Sequence, residues 1–330
     1  MGPLPIERLL PSPPWHNIAI DLFGPFIVRG VVNKRSNLKV YGIIFNCLFS
    51  RAVFVDIATD YSTDGFLMVL RRFIALNGCP SKIMSDLGSQ LTGASKELKE
   101  MIANLNKEKL LAFGTDKGID WSFAPGDAPW YNGCSEALIK SVKKAVRISI
   151  GSQILSYNEL QTVFYGVANL VNERPIGRHP TDPSDGAYLS PNHLLLGRAS
   201  SRVPSGPFKE PSNLKERFSL VQQIVGSFWR SWRKNYLPSL IVRQKWHTDH
   251  RNVSVGDVVL LGDKNEIRGA WKLARVSEVF PSSDGKVRRV SLQYKNIPES
   301  EDAAKYSAHK FVTVQRPVQR VIVICPAEDQ

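Results

Sequence analysis

The chain has 330 residues, of which 43% are hydrophobic and 22% charged, a composition that supports a packed core and excludes a disordered chain. Its net charge of +13 favours a polyanionic partner such as nucleic acid or an acidic membrane surface. No segment approaches the roughly 20 unbroken apolar residues of a membrane span. The N-terminus also lacks the basic start and apolar run of a signal peptide. We therefore expect a soluble intracellular protein, nuclear and cytoplasmic, with no membrane partner.

The first half of the chain predicts one α/β domain at 15–175, after an extended, proline-rich lead-in at 1–14. Strand-forming segments occupy 16–23, 39–48, 51–57, 81–85 and 120–124, and the second and third are close enough to form a hairpin. Helices are predicted after a cap at Ser62 or Thr63, at 94–105, at about 135–150, and after a Ser156–Glu159 capping box. Hairpins first and helices later indicate a mixed sheet flanked by helices.

The second half is different in character. Residues 176–251 form a connecting and helical region, in which 175–213 is rich in Pro, Ser and Gly and 215–246 has helical spacing. Short strands are predicted at 257–261, 271–280, 287–294 and 319–324, with a tight turn at Asp284–Gly285 and an insertion at 297–310. This pattern predicts a small SH3-like antiparallel barrel at 252–330.

The cysteines give no sign of a metal site. Cys47, Cys79, Cys134 and Cys325 are far apart, they form no CxxC pair, and no histidine pair accompanies them. We therefore expect reduced thiols, with neither a zinc site nor a disulfide framework.

Three carboxylates stand out by position. Asp21 lies within the first predicted strand, Asp86 follows the strand at 81–85, and Glu136 lies in the first turn of a helix. A strand-borne acid among apolar residues is costly to keep charged unless a cation or hydrogen bonds compensate. A pair of Mg²⁺ ions, or Mn²⁺, would compensate because hard cations prefer oxygen ligands. By position alone, however, an ordinary cap or helix-dipole partner is the favoured interpretation of each acid.

The local sequences around the three acids favour a functional role over that of a cap or helix-dipole partner. They are IDLFGPF around Asp21, MSDLGSQLTGA around Asp86 and WYNGCSEALIKSVKKAV around Glu136. This ordered set resembles the D-x-x-G-P, S-D-x-G and Y-N-x-x-x-E signatures of retroviral and retrotransposon integrases, and it is most similar to the BEL/Pao retrotransposon type. Segments that resemble that group's tail follow at 172–175, 189–198 and 255–290, so the resemblance spans nearly the whole chain.

The resemblance implies an RNase H-like core in which Asp21, Asp86 and Glu136 form the DDE triad and bind two Mg²⁺ ions. It implies phosphoryl transfer in two steps, 3′-end cleavage of element DNA and attack of the freed hydroxyl on target DNA. A homo-oligomer acting on paired DNA ends is also implied. Two features depart from the family. Leu87 stands where Asn is most frequent, and the long interval between Asp86 and Glu136 implies an insertion around 105–118.

Several basic residues are candidates for DNA contacts. Lys140 and Lys143 share a helix face with Glu136, and although spacing alone favours a solvated stripe, the resemblance implies contacts with the DNA end. The further candidates are Lys144 and Arg147 for phosphates, Tyr131 and Asn132 over the active site, and Arg233, Lys234, Arg243 and Lys245 for the DNA backbone. For the last four, a soluble charged helix is an equally good interpretation. We expect Trp229, Trp232 and Trp271 to be core residues.

Two other functions stay open on the sequence. One is a domesticated, catalytically weak or inactive DNA-binding protein derived from a retrotransposon, which Leu87 favours mildly. The absence of the family's zinc-binding HHCC module from this sequence also mildly favours that interpretation. The other is an RNase H-type nuclease acting on RNA–DNA hybrids, which the predicted barrel and the Lys140/Lys143 face disfavour. The intact acids favour the integrase.

Overall fold

The computed structural model describes residues 6–30, 36–60, 62–85, 105–123, 133–178, 188–197, 217–240, 251–261, 272–295 and 311–329. The chain divides into two compact units. The first unit contains residues 1–172 and 208–232, and the second contains residues 173–207 and 233–330.

A six-stranded sheet forms the centre of the first unit. Its strands are β1 (Asn17–Arg29), β2 (Asn37–Cys47), β3 (Val53–Ala58), β4 (Lys82–Ser85), β5 (Asp120–Phe123) and β6 (Leu155–Ser156). The order is β3-β2-β1-β4-β5, and β6 pairs with the end of β1. The first three strands are antiparallel neighbours, whereas β4 runs parallel to β1 and β5 parallel to β4. This is the strand order of an RNase H-like fold, so the predicted fold class is confirmed.

The long β1–β2 pair is built around a bulge at Gly24 and Pro25. The register shifts between Phe23 and Phe26, and Gly24 has a φ of 125°, which favours glycine. On the neighbouring strand, a Cβ at Gly42 would lie 2.3 Å from the ring of Phe23. Glycine at position 42 therefore leaves room for the ring of Phe23 against β2. Phe23 is two residues after Asp21 on β1.

The helices are, in chain order, α1 (Ile6–Leu9), α2 (Thr63–Asn77), α3 (Lys107–Asp116), α4 (Gly133–Ile150), α5 (Tyr157–Asn172), α6 (Pro191–Leu196) and α7 (Arg217–Leu240). Ser62 caps α2 by accepting the Gly65 N–H at 2.9 Å. The predicted capping box at α5 is present, because the Ser156 N–H donates to Glu159 and the Glu159 N–H donates back to Ser156.

None of the helices in the described ranges is long and apolar enough to cross a membrane.

The first sixteen residues of α7 belong to the first unit, and they bury one apolar face. The buried residues of that face are Val221, Ile224, Val225, Phe228, Trp229 and Trp232. Gly166 of α5 makes room for this face, since a Cβ there would meet Val225 at 3.3 Å. The predicted core role of Trp229 and Trp232 is confirmed, whereas Trp271 lies outside the described residues.

The second unit contains a five-stranded antiparallel sheet. After the short β7 (Gly177–Arg178) and β8 (Tyr188–Leu189), its strands are β9 (Val258–Leu261), β10 (Leu273–Pro281), β11 (Val287–Lys295), β12 (Phe311–Pro317) and β13 (Val321–Cys325). They follow the order β12-β11-β10-β9-β13. The core is formed by Val259, Leu261, Ala274, Val276, Val290, Leu292 and Val321. This sheet is consistent with the predicted small barrel, and Gly285, with a φ of 72°, forms the predicted turn.

Some elements differ from the sequence predictions. Helix α3 lies in the stretch 105–118 that was predicted only as an insertion, and α1 lies in the lead-in that was predicted to be extended. The stretch 175–213 contains β7, β8 and α6, which are too short to produce a periodic signal. Strand β12 was missed because it is an edge strand, exposed on most positions. Apart from residue 105, the predicted helix at 94–105 lies outside the described residues, as does the insertion at 297–310.

Candidate active site

Asp21 lies on the central strand of the first unit's sheet. It pairs with Ile44 of β2, and its neighbours Ile20 and Leu22 are each 1% exposed. The side chain of Asp21 itself keeps 23% of its surface exposed. One carboxylate oxygen accepts the N–H of Leu22 at 2.8 Å. Asp21 is therefore an acid held on an apolar strand with access to solvent.

Lys143 of α4 contacts the other carboxylate oxygen. Its ammonium forms an ion pair with Asp21 Oδ2 and donates to the carbonyl oxygen of Leu22 at 2.9 Å. The Lys143 side chain is also 23% exposed. This contact joins residues 122 positions apart in sequence, and it brings α4 against β1 at Asp21.

The end of β4 lies beside the same part of β1. Ser85, the last residue of β4, is the parallel partner of Ile20, one residue before Asp21. The indole N–H of Trp121 on β5 donates to the hydroxyl of Ser85 at 2.9 Å, and both side chains are buried. Asp86 is the next residue in the chain, and it lies outside the described residues.

The first turn of α4 carries the third predicted acid. The backbone of Glu136 belongs to the first turn of α4, as the sequence predicts, and the helix begins at Gly133, two residues before the predicted start. Its side chain is not among those that the structure describes, and Tyr131 and Asn132 lie outside the described residues. Among the described residues, no group of three or more His, Cys, Asp or Glu side chains is placed to hold a metal ion.

The basic residues of α4 separate into two sets. Lys140, Lys144 and Arg147 are exposed, and none forms an ion pair with a described residue, whereas Lys143 is turned toward Asp21. At 3.6 residues per turn, Lys144 lies about 40° to one side of Lys140 around the helix, whereas Arg147 and Lys143 lie about 20° and about 60° to the other side. The exposed set, Lys140, Lys144 and Arg147, is called the basic stripe below.

The basic candidates that belong to the second unit are only partly described. On α7, Lys234 is exposed and Arg233 is half-buried, while Arg243 and Lys245 lie outside the described residues. The contact of these four residues with the DNA backbone therefore remains a prediction.

Two contacts within the first unit were not predicted. The first is the Trp121–Ser85 hydrogen bond, for which the only sequence signal was a tryptophan in a strand next to the acid-bearing one. The second is a bidentate pair in which Arg217 of α7 donates to Glu159 of α5 at 2.6 and 2.5 Å. The hydrogen bond from Arg217 holds the pKa of Glu159 at about 2, well below its ordinary value. Neither could be found from local sequence, because both join separate elements.

A family model described as a family of unknown function (DUF5641) matches residues 216–324 of this chain. That range runs from the residue before α7 into β13 and does not include Asp21 or α4. No curated protein matches the chain.

Similar solved structures include retroviral integrases. The simian T-cell lymphotropic virus intasome in complex with PP2A regulatory subunit B56 gamma is 13% identical, over 95% of this chain and 80% of that chain, with a TM-score of 0.36. The HTLV-2 integrase catalytic core domain in complex with magnesium is 16% identical over 56% and 97%, with a TM-score of 0.35. The BIV integrase core is 11% identical over 56% and 95%, with a TM-score of 0.34. These values are too low to transfer an activity, a metal or a partner to this chain.

Proposed function

We propose that this chain is a DNA integrase of the BEL/Pao type, which cleaves the 3′ ends of element DNA and joins them to target DNA. The observation that carries the proposal is the contact between Lys143 and Asp21. It brings together the acid of the central strand and the helix that carries Glu136 in its first turn. The local motifs around Asp21, Asp86 and Glu136 support the same assignment.

The surroundings of Asp21 fit a hard divalent cation. The carboxylate is partly exposed, the nearby Leu22 carbonyl adds a second oxygen, and both oxygens already bind a cationic ammonium. Magnesium prefers such all-oxygen surroundings, with carboxylates as its protein ligands. Asp21 is therefore the described member of the proposed metal site.

Asp86 and Glu136 complete the proposed triad. Ser85, the residue before Asp86, pairs in parallel with Ile20, the residue before Asp21, so the described end of β4 lies beside the acid-bearing part of β1. Glu136 lies seven residues before Lys143, on the same side of α4 and about 10 Å along the axis. Bound ions would activate the attacking water or hydroxyl and stabilise the leaving oxygen. The three carboxylates would hold and orient those ions.

The rest of the proposed DNA interface is basic. The stripe of Lys140, Lys144 and Arg147 presents three charges to solvent at the spacing of successive helix turns, which suits a phosphate backbone. We assign Lys143, Tyr131 and Asn132 to the DNA end, and Arg233, Lys234, Arg243 and Lys245 to backbone contacts outside the active site. We also propose a homo-oligomer that acts inside the cell on paired ends.

A strand-transfer assay tests this function. Because the terminal sequence is unknown, the substrate is a pool of short DNA duplexes with randomised ends, mixed with supercoiled plasmid and Mg²⁺ or Mn²⁺. We expect plasmid-joined duplexes with wild-type protein. Asp21→Asn, Asp86→Asn and Glu136→Gln should each reduce joining by about a thousandfold, as loss of a metal ligand does. The matched control is Asp64→Asn, which neutralises an exposed acid on α2 and should retain activity.

The outcomes separate the alternatives. DNA binding without joining under either metal would identify a catalytically inactive, domesticated DNA-binding protein. Cleavage of an RNA–DNA hybrid in preference to duplex DNA would identify an RNase H-type nuclease. Equal joining by the wild type and the Asp21→Asn variant would exclude the proposed triad.

A further inference from the structure

Lys143 differs from the other described basic residues of α4. Lys140, Lys144 and Arg147 point into solvent, whereas the Lys143 ammonium is held by two oxygens of β1, Asp21 Oδ2 and the Leu22 carbonyl. Both side chains of the ion pair are 23% exposed, so water reaches the contact. Lys143 is thus a cation bound to the acid that the proposed function assigns to a metal ion.

We propose that Lys143 is an exchangeable counter-ion of Asp21. In the metal-free protein its ammonium occupies part of the position of a divalent cation, and binding of that cation releases the ammonium to a DNA phosphate. The inference rests on the proposed function and adds a regulatory role to it. Metal and DNA then bind cooperatively, because each favours the same state of Lys143.

Electrostatics makes the exchange necessary. A divalent cation that binds Asp21 Oδ2 would lie next to the Lys143 ammonium, and the two positive charges would repel each other in a partly desolvated site. The remaining acceptor, the Leu22 carbonyl, carries no net charge and offsets little of that repulsion. The ammonium must therefore leave Asp21 when the metal ion arrives.

The geometry gives the released ammonium a destination. Helix side chains lean toward the N-terminus of their helix, so the Lys143 stem points toward the turns that carry Lys140 and Glu136. A DNA end at the proposed triad would place its phosphates on that side. Lysine suits the exchange because it is a point charge on a flexible stem and needs no fixed geometry to bind a phosphate.

Metal binding in the absence of DNA tests the first half of the exchange. The probe is Mn²⁺ added to the full chain, with unbound Mn²⁺ measured by electron paramagnetic resonance. Removing the competing ammonium with Lys143→Gln or Lys143→Met should tighten Mn²⁺ binding about tenfold. Lys117→Gln makes the same charge change on an exposed side chain at the end of α3, outside the proposed DNA interface, and should leave Mn²⁺ affinity unchanged.

The result separates this inference from the function it rests on. If Lys143→Gln and Lys143→Met, both confirmed as folded by circular dichroism, bind Mn²⁺ no tighter than the wild type, the counter-ion role is wrong and the proposed function still stands. Met keeps the length of the stem, so the test survives if Gln unfolds the protein. If Asp21→Asn binds Mn²⁺ as well as the wild type, the proposed metal site itself is wrong.

DNA affinity tests the second half. A labelled DNA duplex is titrated in EDTA and in Ca²⁺, and fluorescence anisotropy gives the Kd in each. We expect Ca²⁺ to tighten DNA binding several-fold in the wild type and in Lys117→Gln, by the reciprocity of coupled binding. Lys143→Gln should lose that gain. A gain of equal size in Lys143→Gln would contradict the release of Lys143 to DNA.

Discussion

Asp21 of the first unit and Asp257 of the second are both aspartates paired with a basic side chain, and they differ in how completely they are enclosed. Asp257 is 0% exposed and accepts two hydrogen bonds from Arg251 at 2.8 Å. It also accepts the N–H groups of Ser254 and Ala327. Asp21 remains 23% exposed and accepts one ammonium and one N–H. The comparison separates a carboxylate built to stay paired from one that can change its partner.

The pKa of Asp257 reflects this enclosure. Burial raises the pKa of the carboxyl, but the hydrogen bonds from Arg251 and from the Ser254 and Ala327 N–H groups outweigh it and leave a net lowering. These partners come from the start and the end of the barrel region, before β9 and after β13. The ionised Asp257 therefore stabilises the fold of the second unit. Its protein partners account for its burial without a bound ligand.

The largest predicted effect is the loss of stability in Asp257→Ala. The substitution leaves two backbone N–H groups without their acceptor and Arg251 without its buried partner. Breaking such a network is expected to lower the free energy of unfolding of the second unit by about 3–5 kcal/mol. Chemical unfolding followed by circular dichroism measures it, with Asp284→Ala, which removes an exposed pair, as the control. A loss no greater than that of the control would contradict the structural role.

The sequence predicted most of the first unit because its signals are local. Segments of strand-forming residues predicted β1 to β5, and Ser62 and the Ser156–Glu159 box marked the starts of two helices. Local motifs also selected the three acids. Helix spacing grouped Lys140 with Lys143, but it did not predict that only Lys143 turns to Asp21, since that depends on how α4 packs against β1.

The contacts that the sequence did not predict are all long-range. Trp121 and Ser85 meet because β5 lies beside β4, and Arg217 meets Glu159 because α7 packs on α5. Such pairs are fixed by tertiary packing, which leaves no periodic mark on either segment. In the second unit, Asp257 gave no local signal either, because its partners precede β9 and follow β13.

In the exposure of its carboxylate, the Glu159–Arg217 pair lies between the pairs of Asp257 and Asp21. The Glu159 side chain is 17% exposed and the Arg217 side chain 34%. Arg217→Gln should lower the free energy of unfolding by about 1–2 kcal/mol at pH 7, a value reduced for solvent screening. The folded-state pKa of Glu159 is lowered from 4.5 to about 2, so its stabilisation is present above pH 4.5 and lost as the pH falls toward 2. The difference between the wild type and the variant should therefore shrink over that window in urea unfolding.

Arg288→Gln is the control for this pH series. It removes a bidentate pair with Asp284 on exposed side chains, and it should leave the free energy of unfolding nearly unchanged at pH 7. A difference for Arg217→Gln that stays constant from pH 7 to pH 2 would show that Arg217 stabilises the fold by packing and not through the ionised Glu159.

The smallest predicted effect is that of Asp21→Asn on stability. Asparagine keeps an acceptor for the Leu22 N–H, and the freed Lys143 ammonium is already exposed enough to be solvated. We therefore expect a change in the free energy of unfolding within about 1 kcal/mol. Millimolar Mn²⁺ should raise the melting temperature of the wild type but not of Asp21→Asn, because only the native wild type binds the ion. A loss in Asp21→Asn as large as that of Asp257→Ala would make Asp21 a structural acid of the same kind, and the distinction between the two units would fail.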